Sequence, residues 1–185
     1  MKLLAALALA AAPALAQPAA KPFTLSSRSF RDGELLKRRY AGNNPASKNC
    51  VGENVSPALS WSNTPPGATS LVLLVGDPEG REGAGVNHFV AYGVRPELGG
   101  FKEGALSQPG PDYVGGKSTM ALGYYMGPCP PAGVTPHHYT FLLFATDLAP
   151  DALPAGLARE EVVERIKGHV KGVSGLVGRF VKPNP

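Results

Sequence analysis

The side chains of this sequence best suited to chemistry are a carboxylate and three imidazoles at the ends of apolar runs. Asp77 closes the run that starts at Ser70. His88 opens the run that ends at Val94, and His137 and His138 stand just before the run Tyr139 to Thr146. Between the histidines lies Gly127-Pro128-Cys129-Pro130-Pro131-Ala132-Gly133. Protonated imidazoles donate to anion oxygens, and a carboxylate orients an imidazole or takes a ligand proton. Glycines in a rigid, proline-rich path let backbone N–H groups approach a ligand closely. If adjacent strand ends meet at one sheet edge, these groups and a tyrosine or two line one small cavity. Such a cavity suits a small anion with a phosphorylated or polyhydroxylated head. A single histidine reads more simply as a satisfied structural residue. Three of the four histidines beside strand-end Gly/Pro loops favour a site. The fourth, His169, is expected near a helix C-terminus, where it complements the helix dipole.

The elements that must position these groups are mostly strands. Phe23 to Phe30 alternates, and Leu35 to Tyr40 is a second candidate strand. Residues 42 to 57 form a long polar loop. Leu59 to Trp61 is a short strand. Ser70 to Val75, apolar and partly β-branched between turn residues, is the strongest central strand. His88 to Val94, Tyr139 to Thr146 and Leu176 to Val181 complete the set, with residues 95 to 123 as loop. Arg159 to Val170 is the one clear helix. Val162, Val163, Ile166 and Val170 form its apolar face, and Glu161 is spaced to pair with Arg165. Short strands with one late helix indicate a β-rich sheet or sandwich, not alternating βαβ units.

Composition bounds the answer. The chain holds 23 Gly and 19 Pro, 42 of 185 residues, about twice the ordinary combined share of ~12%. Disorder is excluded by 43% hydrophobic and only 17% charged residues. An all-helical bundle is excluded because both residues break helix interiors. Seven of the 14 positions from 123 to 136 are Gly or Pro, so the excess is concentrated beside the candidate site. The net charge of +4 is mild, and the basic residues near the C-terminus are interleaved with Glu160, Glu161 and Glu164. That is a solvated face, not a nucleic-acid surface. Lys2, the apolar run Leu3 to Ala12 and Ala14-Leu15-Ala16 form a secretory signal pattern over residues 1–16. The expectation is a secreted or periplasmic protein, 17–185 forming a single domain with no membrane span. Cys50 and Cys129 then read as one disulfide.

Several motifs fail. Gly115-Gly116-Lys117-Ser118 lacks the first glycine of a phosphate loop, where Pro111 stands. Gly172-Val173-Ser174-Gly175 lacks the last glycine of a nucleophile elbow. No nucleophile is paired with a base, and neither a Cys-x-x-Cys nor a His-Glu-x-x-His metal motif is present. Asn54-Val55-Ser56 matches a glycosylation sequon, but Pro57 follows it.

The order and spacing of four motifs resemble the phosphatidylethanolamine-binding protein family, particularly its bacterial Raf-kinase-inhibitor-like branch. They are Cys50-Val51-Gly52-Glu53-Asn54-Val55-Ser56-Pro57-Ala58-Leu59-Ser60-Trp61, Asp77-Pro78, His88, and Gly127 to Gly133 followed by His137-His138-Tyr139. The likeness spans Phe23 to Val181. It implies a mainly β fold: a large central antiparallel sheet, a smaller second sheet and short flanking and C-terminal helices. It also implies an anion pocket of Asp77, His88, Tyr125, Gly127, Pro130, Pro131 and His137, with backbone donors from the 127–131 loop. Departures are Glu79 for the family's second Asp, Gly80-Arg81 for Ala-Pro, Val86-Asn87 before His88, and His138 for Arg. They imply a more open, less aromatic pocket wall. The implied function is binding of phosphate-like or phospholipid head groups without catalysis, cofactor or metal, with a protein target such as a kinase or protease as a further partner. Two other readings stay open. One is a hydrolase or metal-assisted phosphoesterase using Asp77, His88 and His137. The other is a protein–protein inhibitor with a vestigial pocket.

Overall fold

The computed structural model describes residues 21–182 apart from residue 134, so the expected leader 1–16 lies outside the described residues. Nine strands and one α-helix follow in the order β1 (Thr24–Ser26), β2 (Glu34–Leu35), β3 (Leu59–Ser62), β4 (Ser70–Asp77), β5 (Val86–Val94), β6 (Gly100–Phe101), β7 (Val114–Gly115), β8 (His137–Thr146), α1 (Arg159–Ile166) and β9 (Val170–Phe180). The large sheet has the order β2-β9-β8-β4-β5-β7, and the small one β1-β3-β6. All pairings are antiparallel except β2 with β9, which is a two-residue contact.

Strand periodicity explains the layers. Leu71, Leu73 and Val75 of β4 share a face with Tyr139, Phe141 and Leu143 of β8. That face packs on Leu25, Leu59, Trp61 and Phe101 of the small sheet. The alternate residues Val72, Leu74, Val90 and Tyr92 pack on Val162 and Ile166 of α1. β4 is apolar almost without alternation because both its faces are covered, whereas β8 alternates buried with half-exposed residues. β5 carries two irregularities against β4. One extra residue falls near Gly93, whose φ of 70° and contact with the Pro150 carbonyl leave no room for a Cβ. The other falls at His88.

Four local expectations are corrected. Of the expected strand Leu35 to Tyr40 only Leu35 lies in a strand, the end of β2; Arg38–Tyr40 turns as a 3-10 helix and buries Tyr40. The α-helix ends at Ile166, not Val170. Gly168 there adopts a φ of 82°, and Val170 already begins β9. Val163 and Val170 are accordingly exposed. Glu161 does not pair with Arg165; its carboxylate accepts the Ala158 N–H at 2.8 Å and so caps the helix start. His169 sits past the helix, its Nδ1 2.7 Å from Asp147 Oδ1, so the expected dipole contact is replaced by a hydrogen bond to Asp147. Cys50 and Cys129 are bonded across 79 residues, joining the 42–57 loop to the proline-rich loop.

Candidate functional site

Asp77 ends β4 and His137 begins β8, the neighbouring strand. The last register pair is Gly76 with Thr140, so Asp77 comes abreast of Tyr139 one residue further on. Asp77 is buried; its Oδ2 lies 2.8 Å from His137 Nδ1, and its Oδ1 accepts the Gly80 N–H at 3.0 Å. The carboxylate thereby fixes the ring orientation of His137 and the start of the 80–85 loop.

His88 arrives on this face through the β5 bulge. Val75 pairs with Phe89 but Gly76 pairs with Asn87, leaving His88 as the inserted residue. Strict alternation would put His88 on the face opposite Phe89. The bulge turns its ring onto Tyr139, centroid to centroid 5.1 Å with the planes at 74°. It turns Asn87 to the helix face, where with Leu74, Thr140 and Leu142 it lines a cavity of about 440 Å³. The His88 Nδ1 lies 2.7 Å from the Met126 carbonyl. A carbonyl has no proton to give, so Nδ1 is the donor. Burial pushes the His88 pKa below its ordinary value of 6.5, against the pull of the Met126 carbonyl and the Asp77 charge. The resting ring is therefore neutral and offers an Nε2 lone pair, whereas the sequence argument expected a protonated imidazole.

Tyr139 is the residue that sequence reasoning missed. Its hydroxyl is buried and makes no hydrogen bond of ordinary length among the described residues, a condition shared there only with Asn87 Oδ1. Burial first, and then the charge of the neighbouring Asp77 carboxylate and a weak hydrogen bond toward it, push its pKa up, so the hydroxyl remains a proton donor. The period of a strand was the available signal: two residues after His137, Tyr139 must share its face. Tyr125 is placed differently. It is fully buried in the core, its hydroxyl donates to the Tyr40 carbonyl at 3.0 Å, and burial raises its pKa.

The proline-rich loop supplies shape more than donors. The Gly127 N–H donates to Asn54 Oδ1 at 2.8 Å, and Asn54 Nδ2 donates to the Tyr125 carbonyl at 3.0 Å. Asn54 is itself buried, with a φ of 56°. Both ends of its amide are thus committed, which closes it to glycosylation. Gly127 is required by close approach, since a Cβ there would collide with the Tyr40 carbonyl and press on the Ala41 backbone. Prolines 128, 130 and 131 have no N–H, so Cys129 carries the remaining loop donor of the 127–131 stretch. Pro130 is buried and Pro131 exposed.

The departures at Glu79 and His138 meet one another. The His138 N–H donates to Glu79 Oε2 at 3.1 Å, and its Nδ1 lies 2.6 Å from Oε1. Partial burial raises the Glu79 pKa, but these two bonds outweigh it and hold the carboxyl below 4.5. A depressed folded pKa contributes stability above the unfolded value, lost as pH falls through the folded one. Wild type should therefore lose stability on acidification below about pH 4.5 more steeply than Glu79→Gln, measured by urea unfolding across that range. The pair is half-exposed, so the difference is small. Asp77, Glu79 and His137 also place one ligand atom each within 4.8 Å of the others, the spacing of a metal site. Each of the three already has a hydrogen-bond partner in the protein.

The family model for phosphatidylethanolamine-binding protein matches residues 26–181. A UPF0098 protein of Methanothermobacter thermautotrophicus is 38% identical over 159 residues, covering 84% of this chain and 97% of its own. A Mycobacterium tuberculosis protein named as lipoprotein LppC is 36% identical over 166 residues, covering 88% and 74%. The crystal structure of the Chlamydia trachomatis phosphatidylethanolamine-binding protein homolog CT736 superposes with a TM-score of 0.73 at 30% identity, covering 87% of this chain and 98% of that one. Escherichia coli YbcL matches in fold, with a TM-score of 0.78 at 22% identity over 88% and 99% of the two chains.

Proposed function

Since this chain belongs to the phosphatidylethanolamine-binding protein family, we propose that His88, His137 and Tyr139 bind a small phosphate-like anion or phospholipid head group, with Asp77 orienting His137 and with Gly127, Pro130 and Pro131 shaping the wall. The observation that carries this reading is the buried Tyr139 hydroxyl, which makes no hydrogen bond of ordinary length within the protein. An unsatisfied buried donor costs about 1–3 kcal/mol, which an incoming acceptor oxygen recovers. His137, oriented by Asp77, and His88 are the other two donors, each through Nε2 of a protonated ring. Asp77 orients and does not contact the anion, because a carboxylate would repel it. Tyr125 serves as a core support under this pocket.

No bond is made or broken in this reading, so the protein is a binder. The leader pattern in residues 1–16 supports export to the periplasm or beyond, with 17–185 as one domain. No helix among the described residues is long and apolar enough to cross a membrane. A regulatory protein target, a kinase or protease, would then see the loaded or empty pocket. Calorimetric titration with inorganic phosphate and with phosphoethanolamine tests the proposal. Tyr139→Phe should bind either about tenfold more weakly, the equivalent of ~1.4 kcal/mol for one hydrogen bond. Wild-type affinity in that variant would remove Tyr139 from the site.

The spacing of Asp77, Glu79 and His137 favours one alternative, a metal-assisted phosphoesterase. Adding zinc or manganese during the titration, with a phosphomonoester turnover assay, separates the two. Binding that is indifferent to metal, without turnover, supports the binder.

A further inference from the structure

Tyr124 and Met126 border a second cavity, of about 700 Å³, whose lining includes none of Asp77, His88 and His137. This volume falls in the range of small-molecule sites. Its only charged lining residue is Glu53, and neither lysine nor arginine reaches it. A phosphate or carboxylate would meet a negative charge there without a compensating cation. The lining instead combines side-chain amides, from Asn43 and Gln108, with an apolar surface from Tyr124, Met120 and Met126.

We propose that this cavity binds an uncharged polyhydroxylated ligand, a saccharide. A sugar hydroxyl both donates and accepts, and a carboxamide does the same through its two ends. The Glu53 carboxylate accepts from hydroxyls. The C–H face of a pyranose ring is apolar and matches the Tyr124 ring and the two thioethers.

The walls are built before any ligand arrives. Asn43 follows Gly42, whose N–H donates to the Pro128 carbonyl at 2.9 Å and whose own carbonyl accepts the Gly52 N–H at 2.8 Å. The Cys50–Cys129 bond joins the same two loops. Asn54, with both ends of its amide bonded, is a fixed wall rather than a ligand contact. A pre-ordered site loses less entropy on binding. The proposal is independent of the anion pocket, and either can fail without the other.

Backbone amide spectra of the isotope-labelled protein, titrated with glucose, N-acetylglucosamine, maltose and chitobiose, test it. At least one sugar should saturate with a Kd of about 1 mM, a typical weak affinity. Its shifts should centre on Gln108 and Tyr124. Gln108→Ala, at an exposed loop position, should weaken that binding about tenfold while leaving phosphate affinity unchanged. Tyr124→Ala should do the same more strongly. No saturable shift with any of the four sugars, or shifts centred on His88 and His137 and abolished by phosphate, would overturn the proposal.

Discussion

His88→Ala combined with His137→Ala is expected to weaken phosphate binding at least a hundredfold, about 2.8 kcal/mol at two tenfold steps. Each imidazole supplies one charge-assisted hydrogen bond to the anion, and such bonds contribute about 1.5–3 kcal/mol apiece. The two substitutions differ in collateral effect. His137 is half-buried at the start of β8, so its loss chiefly leaves Asp77 Oδ2 without its partner. His88 is buried, and removing it also strands the Met126 carbonyl. His88→Gln, which retains a donor near that carbonyl, separates the binding effect from the structural one. The pH dependence provides a second readout. Sulfate remains fully ionised near neutral pH, so any pH dependence of its affinity comes from the protein. The free His88 is neutral because burial depresses its pKa below 6.5. A bound anion favours the imidazolium and raises that pKa, so sulfate affinity should increase as pH falls below about 6.5. The same depressed pKa makes the unliganded protein lose stability in that window, because the unfolded chain takes up the proton first. Equal sulfate affinity at pH 5.5 and 8 would show that His88 does not donate.

Removing the Cys50–Cys129 bond, by Cys50→Ser with Cys129→Ser, should cost about 4 kcal/mol of folding stability, the chain-entropy value for a closed loop of this length. A domain of this size has only about 5–15 kcal/mol to lose, so the denaturant midpoint should fall sharply. The fold itself should persist, because the Gly42 N–H still donates to the Pro128 carbonyl and the Asn54 side-chain amide still bonds the Tyr125 carbonyl and the Gly127 N–H. The variant should therefore show wild-type circular dichroism at low denaturant and a much earlier transition. An unchanged midpoint would mean that those bonds alone hold the loops.

Much of the site follows from residue order, and the remainder depends on geometry that no residue type announces. Asp77 and His137 were legible as strand ends, and their 2.8 Å contact follows once β4 and β8 are neighbours. Glu79 and His138 each read as a departure from the family pattern; together they form one pair across the same two strands. His88 was legible by type but not by placement, since the bulge that presents it breaks the two-residue period. Tyr125 and Tyr139 stand in similar apolar company, and only the strand register puts the second abreast of Asp77 while the first is drawn to Tyr40. Gly127 looked like a ligand donor, and the structure bonds its N–H to Asn54 Oδ1 and packs it on the 40–42 backbone. The helix end was misread because valine continues both a helical face and a strand, and Gly168 decides between them.

The central claim is that an anion completes the buried cluster around the Tyr139 hydroxyl. Diffraction from crystals soaked in phosphate tests it most directly. The account predicts tetrahedral density within hydrogen-bonding distance of Tyr139 Oη, His137 and His88 Nε2, absent from Tyr139→Phe crystals or markedly weaker there. Phosphate found only elsewhere, with Tyr139 Oη still unpartnered or bonded to Asp77, would contradict it.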